Sequence, residues 1–333
     1  MKKTTAYILG LFLLLFACNP SRNLKVDVSD IDVNVTIKRY GQAIFEMSDE
    51  NMTKDQIADL HKDYPFFIDQ DISSADANAL KEFVRDPVNQ DLYESVSDQY
   101  SDLQPLEREL EDMFKHMKYY FPDFNLPEIY TYISSLNYKK PVIHQENNLV
   151  IGLDMYLGTE VEFYDRVGVP KYKSRWFVPE RIVPDVCQTL IKPNIKPQED
   201  PTLLDLMVEK GKLLYLMEAL MPDKEKKFLI RYTDKQMEWI KEYEVYVWGL
   251  IVDEELLFSK DRPKIKNFVD DGPFTSTISK EAPPRIAEWL GWRMIKKYMN
   301  ENPDVTMRDL LQEGNSQKIL KKSKYKPAQK ARG

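Results

Sequence analysis

Two groups in this chain of 333 residues have types and spacing that suit chemistry: a thiol near the start and a carboxylate far along it. The thiol is Cys18, which closes Leu15-Phe16-Ala17-Cys18. Before it come a basic start, Met1-Lys2-Lys3, and an uncharged apolar run from Ala6 to Ala17. A basic n-region, a short apolar stretch and a small residue before the cut describe a secretory signal, one too short to span a bilayer. Ending such a signal on Leu-x-Ala-Cys predicts a thiol that is modified with diacylglycerol, with cleavage just before it. Phe16 is larger than that pattern prefers. The expectation is a signal peptide over 1–17 and lipidation at Cys18.

The carboxylate is Glu209, within Val208-Glu209-Lys210-Gly211-Lys212. A helix carrying His-Glu-x-x-His aims two imidazoles, at i and i+4, at one zinc ion while the Glu activates water. Glu209 and Gly211 stand where a His-Glu-x-Gly-His version has them, but Val208 and Lys212 occupy both ligand positions. Valine has no lone pair, and a protonated lysine repels a dication. The three histidines, His61, His116 and His144, are not paired at that spacing. Neither zinc nor any other cofactor is expected. Other constellations are weaker. The sequence has no Gly-rich phosphate loop and no Gly-x-Ser-x-Gly elbow, and three scattered histidines give a Ser–His–Asp triad little to draw on. Asp253-Glu254-Glu255 is the densest acidic cluster for a hard cation and is more simply a solvated helix face. His116 falls beside an apolar stripe and reads as structural, and His144, next to a turn, reads as exposed. A buried Glu209 of altered pKa would mark a site, whereas pairing with Lys210 or Lys212 is the plainer reading.

The elements that must position these groups follow from periodicity. Ile31, Val33, Val35 and Ile37 alternate with polar residues, which predicts a half-buried strand. Pro105 to Phe121 carries Leu106, Leu110, Met113, Phe114, Met117 and Phe121 on one helical stripe. Ile129 to Ile133 has strand composition, and Val142–His144 with Leu149–Leu153 flank Glu146-Asn147-Asn148 as a hairpin. Pro170, Pro179, Pro184 and Pro193 predict a loop-rich stretch without long regular elements. A central helix is expected from an Asp200 cap to Met221, with Pro201 at its first position. Helices capped at Thr233, running from Arg285 to Met299, and boxed by Thr306 and Asp309 follow, with a loop over 259–284. The fold class is α+β, predominantly helical, with a small sheet before a helical half.

Composition bounds the function. Hydrophobic residues make up 43% and charged residues 30%, ordinary values for a soluble globular protein. The net charge is −7, yet Lys318 to Gly333 holds seven Lys or Arg and no acid, so the rest is more acidic still. An acidic body argues against nucleic-acid partners. With Cys18 lipidated, Cys187 has no thiol to pair with, and the fold must rest on its core. The expected organisation is a tether over 18–30, one domain over 31–316 and a flexible basic tail over 317–333.

Several runs carry a resemblance. Leu149-Val150-Ile151-Gly152-Leu153-Asp154-Met155-Tyr156-Leu157-Gly158, Pro170-Lys171-Tyr172, Gly211-Lys212-Leu213-Leu214-Tyr215 and Pro283-Pro284-Arg285-Ile286-Ala287-Glu288-Trp289-Leu290-Gly291-Trp292 look like the gliding-motility-associated lipoprotein GldB family of Bacteroidota. The resemblance covers nearly the whole chain. It implies a link to surface gliding and its secretion machinery, envelope protein partners, and membrane lipid contact through acylated Cys18. No catalytic residue carries over. In these bacteria an acidic cluster straight after the Cys tends to send lipoproteins to the exterior. None follows Cys18, which favours the outer membrane facing the periplasm. More loosely, the order of hairpin strand, long loop and central helix is similar in layout to zincin metallopeptidases, which would leave a vestigial cleft at Glu209, Lys212, Asp154 and Tyr215.

The leading expectation is a non-catalytic scaffold or binding lipoprotein. A hydrolase using carboxylates without zinc competes with it, as does a ligand-binding lipoprotein with Trp176, Trp239 and Trp248 lining a pocket. A groove filled by Tyr215, Trp289 or Trp292 would favour the scaffold.

Overall fold

In the computed structural model, which describes residues 22–47 and 52–327, the chain is a small mixed sheet packed into a helical body. In chain order the elements begin with β1 (Ile37–Arg39), α1 (Tyr40–Phe45), α2 (Lys54–Asp59), α3 (Ser74–Arg85), α4 (Pro87–Gln99) and α5 (Gln104–Tyr120). The strands β2 (Glu128–Tyr132), β3 (Val142–Gln145) and β4 (Asn148–Gly152) follow. Next come α6 (Phe163–Arg166), α7 (Lys171–Ser174), α8 (Ile182–Ile191), α9 (Leu203–Leu220) and α10 (Lys226–Ile230). The chain continues through α11 (Asp234–Asp253), α12 (Arg262–Val269), α13 (Ile286–Glu301), α14 (Met307–Gln312) and α15 (Ser316–Ser323). The signal peptide and Cys18 lie outside the described residues.

The sheet has the order β1-β2-β4-β3, with β1, β2 and β4 parallel and β3 antiparallel at the edge. The expected hairpin forms, turning at Glu146 with a φ of 53°. Ile37, Ile129 and Leu149 share one register and face the main core. The opposite face carries Tyr130 and Tyr132, covered by Tyr64, Phe66 and Phe67, and a second small cluster from Tyr40 to Val84 lies there. The expected strand over 31–37 is half right. Val33, Val35 and Ile37 are buried in alternation, but pairing begins only at Ile37. Upstream, the N–H groups of Val35 and Ile37 donate to the carboxylates of Glu111 (3.1 Å) and Glu107 (2.9 Å), one helical turn apart on α5. Buried N–H groups need partners, and here a helix supplies them in place of a strand.

The centre of the body is α9, with fifteen of its eighteen residues buried. Its cap is Thr202 in a reciprocal box with Asp205, not Asp200 as expected. Its main partner is α13. Gly211 and Gly291 face each other at the crossing: a Cβ on Gly211 would lie 2.8 Å from the Trp292 nitrogen, and one on Gly291 would enter the Met207 carbonyl. Either side of this contact α13 repeats one device. Trp289 donates its indole N–H to Glu244 (3.1 Å) and Trp292 to Glu218 (2.9 Å). Arg293 and Lys296, each four residues on, pair with the same two carboxylates and lie over the same two rings.

Four expectations are corrected. The proline-rich stretch holds the ten-residue α8, because Pro184 sits in its first turn, where N–H groups have no intrahelical partner. The 259–284 loop contains α12, with Pro263 likewise at its start. The described part of the tether, from Arg22, is docked on the body through Asn300 and Val305. The tail is also folded through α15, since Ile319, Ser323 and Tyr325 are buried despite the surrounding lysines.

Candidate functional site

The four residues expected to form a vestigial cleft do different jobs in the structure. Glu209 is part-exposed and pairs with Lys210 at 3.6 Å, which is the plainer reading. Lys212 is buried, and its ammonium donates to the Glu313 carbonyl. Burial pushes its pKa down to about 8, against the pull of Glu313 and Glu209. Tyr215 is buried, and its hydroxyl has no hydrogen-bond partner among the described residues. Desolvation raises its pKa.

Asp154, fully buried at the end of β4, belongs to the sheet side. Its carboxylate accepts from the Ser134 N–H, the Ser134 hydroxyl and the Leu136 N–H, all at 2.8 Å. It thereby clamps Ser135 and Leu136, which adopt φ values of 52° and 61°, a conformation costly for residues with a Cβ. Burial raises its pKa while these three hydrogen bonds pull the other way. Asp154 is a structural staple, with no hydrogen bond or ion pair to any of the other three among the described residues.

The next tyrosine of the same run leads to a cluster missed in the sequence. Tyr156 donates to Asp185 at 3.0 Å, and Asp185 pairs with Arg181, four residues before it on the adjoining turn. Arg181 is buried and donates to the carbonyls of Phe228 and Leu229. From the other side Arg285, also buried, donates to the carbonyls of Ile230 (3.0 Å) and Arg231 (3.1 Å). Two guanidinium groups thus satisfy the carbonyls that α10 leaves free at its C-terminus, where cations are favoured. Arg285 is held in turn by Glu288 (2.9 Å) and Asp271 (3.1 Å). The Arg181–Asp185 spacing of four and the Pro283-Pro284-Arg285 run were the only signals available, and neither announces burial.

This cluster borders a cleft of about 320 Å³ between α8, α9 and the start of α13. Lys192, Lys210, Arg231 and Arg285 line it together with Asp270, Asp271 and Glu288. Arg231 stands in a left-handed cap at φ 58°, and its guanidinium makes no hydrogen bond or ion pair among the described residues. Burial, then the Arg285 and Arg181 charges, push its pKa down to about 10. The described lining residues include no Ser, Thr, Cys or His. Such a lining can hold a charged group. Glu209, Lys212, Tyr215 and Asp154 do not line this cleft.

The remaining candidates are dispersed. His116 is buried, with Nδ1 2.9 Å from the Asp112 carbonyl, and His144 is exposed. Trp176 packs on Phe228, Trp239 on Tyr243 and Trp248 on Tyr325, in three separate places. Asp253-Glu254-Glu255 is solvent-exposed. Trp289, Trp292 and Tyr215 are all buried.

In comparison with known proteins, the family model described as gliding motility protein GldB fits residues 21–327. No curated protein and no solved structure matches the chain, so the zincin likeness in layout gains no support.

Proposed function

Because the chain belongs to the family of gliding motility protein GldB, we propose that it is an envelope lipoprotein of the gliding machinery, with a scaffold or binding role instead of catalysis. Its anchor is the acylated Cys18, and its place is the outer membrane on the periplasmic side, where its partners are other envelope proteins of that machinery. No helix among the described residues is long and apolar enough to cross a membrane, and attachment is assigned to the acyl chains.

The observation that carries the non-catalytic reading is the closed face of α9. The positions where a zinc dyad would stand hold Val208, which is buried, and Lys212, which is bonded to the Glu313 carbonyl. Gly211 between them is covered by Gly291. The helix that stands where a zincin carries its zinc ligands is used for packing, and in the neighbouring cleft Arg285, Asp271 and Glu288 are paired with one another.

Growing cells fed an alkyne palmitate analogue test this reading. Wild-type protein is expected to take up the label and to fractionate with outer membrane after a salt wash, and Cys18→Ser to take up none. An unlabelled wild-type protein in the soluble fraction would overturn the anchoring.

A further inference from the structure

The two ends of the described chain meet at one place. The backbone N–H of Arg22 donates to Asn300 Oδ1 at 2.9 Å, and its guanidinium donates to the Val305 carbonyl at 2.7 Å. From the other end, Lys324 pairs with Glu301 at 2.7 Å. Residues 22 and 324 are therefore fixed to adjacent residues where α13 ends. Cys18 lies four residues before Arg22, and four residues reach at most about 14 Å. Acyl chains on Cys18 hold this end of the domain within about that distance of the bilayer surface.

What this end presents outward is basic. α15 buries Ser316, Ile319 and Ser323 and exposes Lys318, Lys321 and Lys322, with Lys324 and Lys326 exposed just beyond it. Lys318 pairs with Glu313 and Lys324 with Glu301. Lys321, Lys322 and Lys326 form no ion pair among the described residues. Of the acids nearby, Glu301 is held by both Lys297 and Lys324, whose hydrogen bonds pull its pKa down to about 2. Asp304 is the exposed acid left in the same turn. On an otherwise acidic protein, three unpaired lysines beside the anchored end are a marked asymmetry.

We propose, resting on the reading that Cys18 is acylated, that the lysine face of α15 is a second membrane contact: Lys321, Lys322 and Lys326 meet anionic lipid headgroups and set the orientation of the domain on the bilayer. A lipid anchor alone leaves the domain free to tumble about its tether, whereas a charged face beside the anchor restricts it. Three lysines at an anionic surface strengthen attachment about a hundredfold at low salt. The gain falls as salt shortens the screening length.

The test uses the acylated full-length mature protein reconstituted in protein-free vesicles, one set with roughly a third anionic phospholipid and one purely zwitterionic. Vesicles are pelleted, and lysines are labelled with an amine-reactive ester and read by mass spectrometry, with Lys38 as reference. Lys321, Lys322 and Lys326 are expected to label several-fold more slowly on anionic vesicles at low salt and to recover at high salt, with the protein pelleting throughout. Protein that pellets but labels equally on both vesicle types overturns the inference and leaves the anchor intact. Protein that fails to pellet on either type counts against the anchoring reading itself. Protection seen on native envelope membranes and not on anionic vesicles overturns the lipid assignment and gives this face to a protein partner.

Discussion

Tyr325 donates its phenol to Glu244 at 2.8 Å, so one of the last described residues is tied to the same buried carboxylate that holds Trp289 and Arg293. Ile319 is fully buried within α15, and Ser316 bonds Asp205, the carboxylate of the α9 capping box. Truncation after Asn315 is expected to lower Tm by roughly 5 °C or more. Burying side chains such as Ile319 and Tyr325 contributes about 1.5–3 kcal/mol each, and 1 kcal/mol shifts Tm by about 2–4 °C at this size. A thermal melt of the truncated chain within a degree of wild type would show that α15 does not stabilise the body.

The glycine crossing predicts a sharp contrast between two substitutions. Gly291→Ala forces its methyl into the Met207 carbonyl, and only separation of α9 from α13 makes room. Overpacking costs about 1–3 kcal/mol where side chains can yield, and here the obstacle is backbone, so about 3 kcal/mol or more is expected. Gly249, within α11, has open space where its Cβ would stand. Gly249→Ala is expected to be neutral or to stabilise by up to about 1 kcal/mol through helix propensity. Urea unfolding of both variants checks this, and similar midpoints for the two would contradict the crossing.

Lys212 gives a pH signature. Its folded pKa is lowered to about 8 from 10.5, chiefly by burial. Between these values the unfolded chain holds a proton that the folded chain has released, so this residue's contribution grows as pH rises and is lost as pH falls through 8. The difference in unfolding free energy between wild type and Lys212→Met is expected to move toward wild type between pH 7 and 10, by up to roughly 3 kcal/mol. Parallel pH profiles would mean that the amine is not desolvated.

Much of the fold was legible because it rests on local pattern. The α5 stripe, the hairpin around Glu146, and the Thr233 and Thr306 caps are all set by neighbours within a few residues. The site was less legible because its contacts are distant in sequence. Asp154 grips residues eighteen and twenty positions away, and Arg285 holds carbonyls more than fifty positions away. The tail was misread for another reason. Seven charges dominate its composition, while Ser316, Ile319 and Ser323, spaced at three to four residues, form the face that packs.

The most direct test of an anchored, non-catalytic lipoprotein is complementation of a deletion strain in a gliding host, scored as colony spreading with protein levels matched. Cys18→Ser is expected to fail, because the domain loses its membrane attachment. Glu209→Gln is expected to restore spreading fully, because the one ion pair Glu209 makes among the described residues is the part-exposed contact with Lys210. Loss of spreading in Glu209→Gln at normal abundance, with Cys18→Ser still supporting it, would contradict both halves of the proposal.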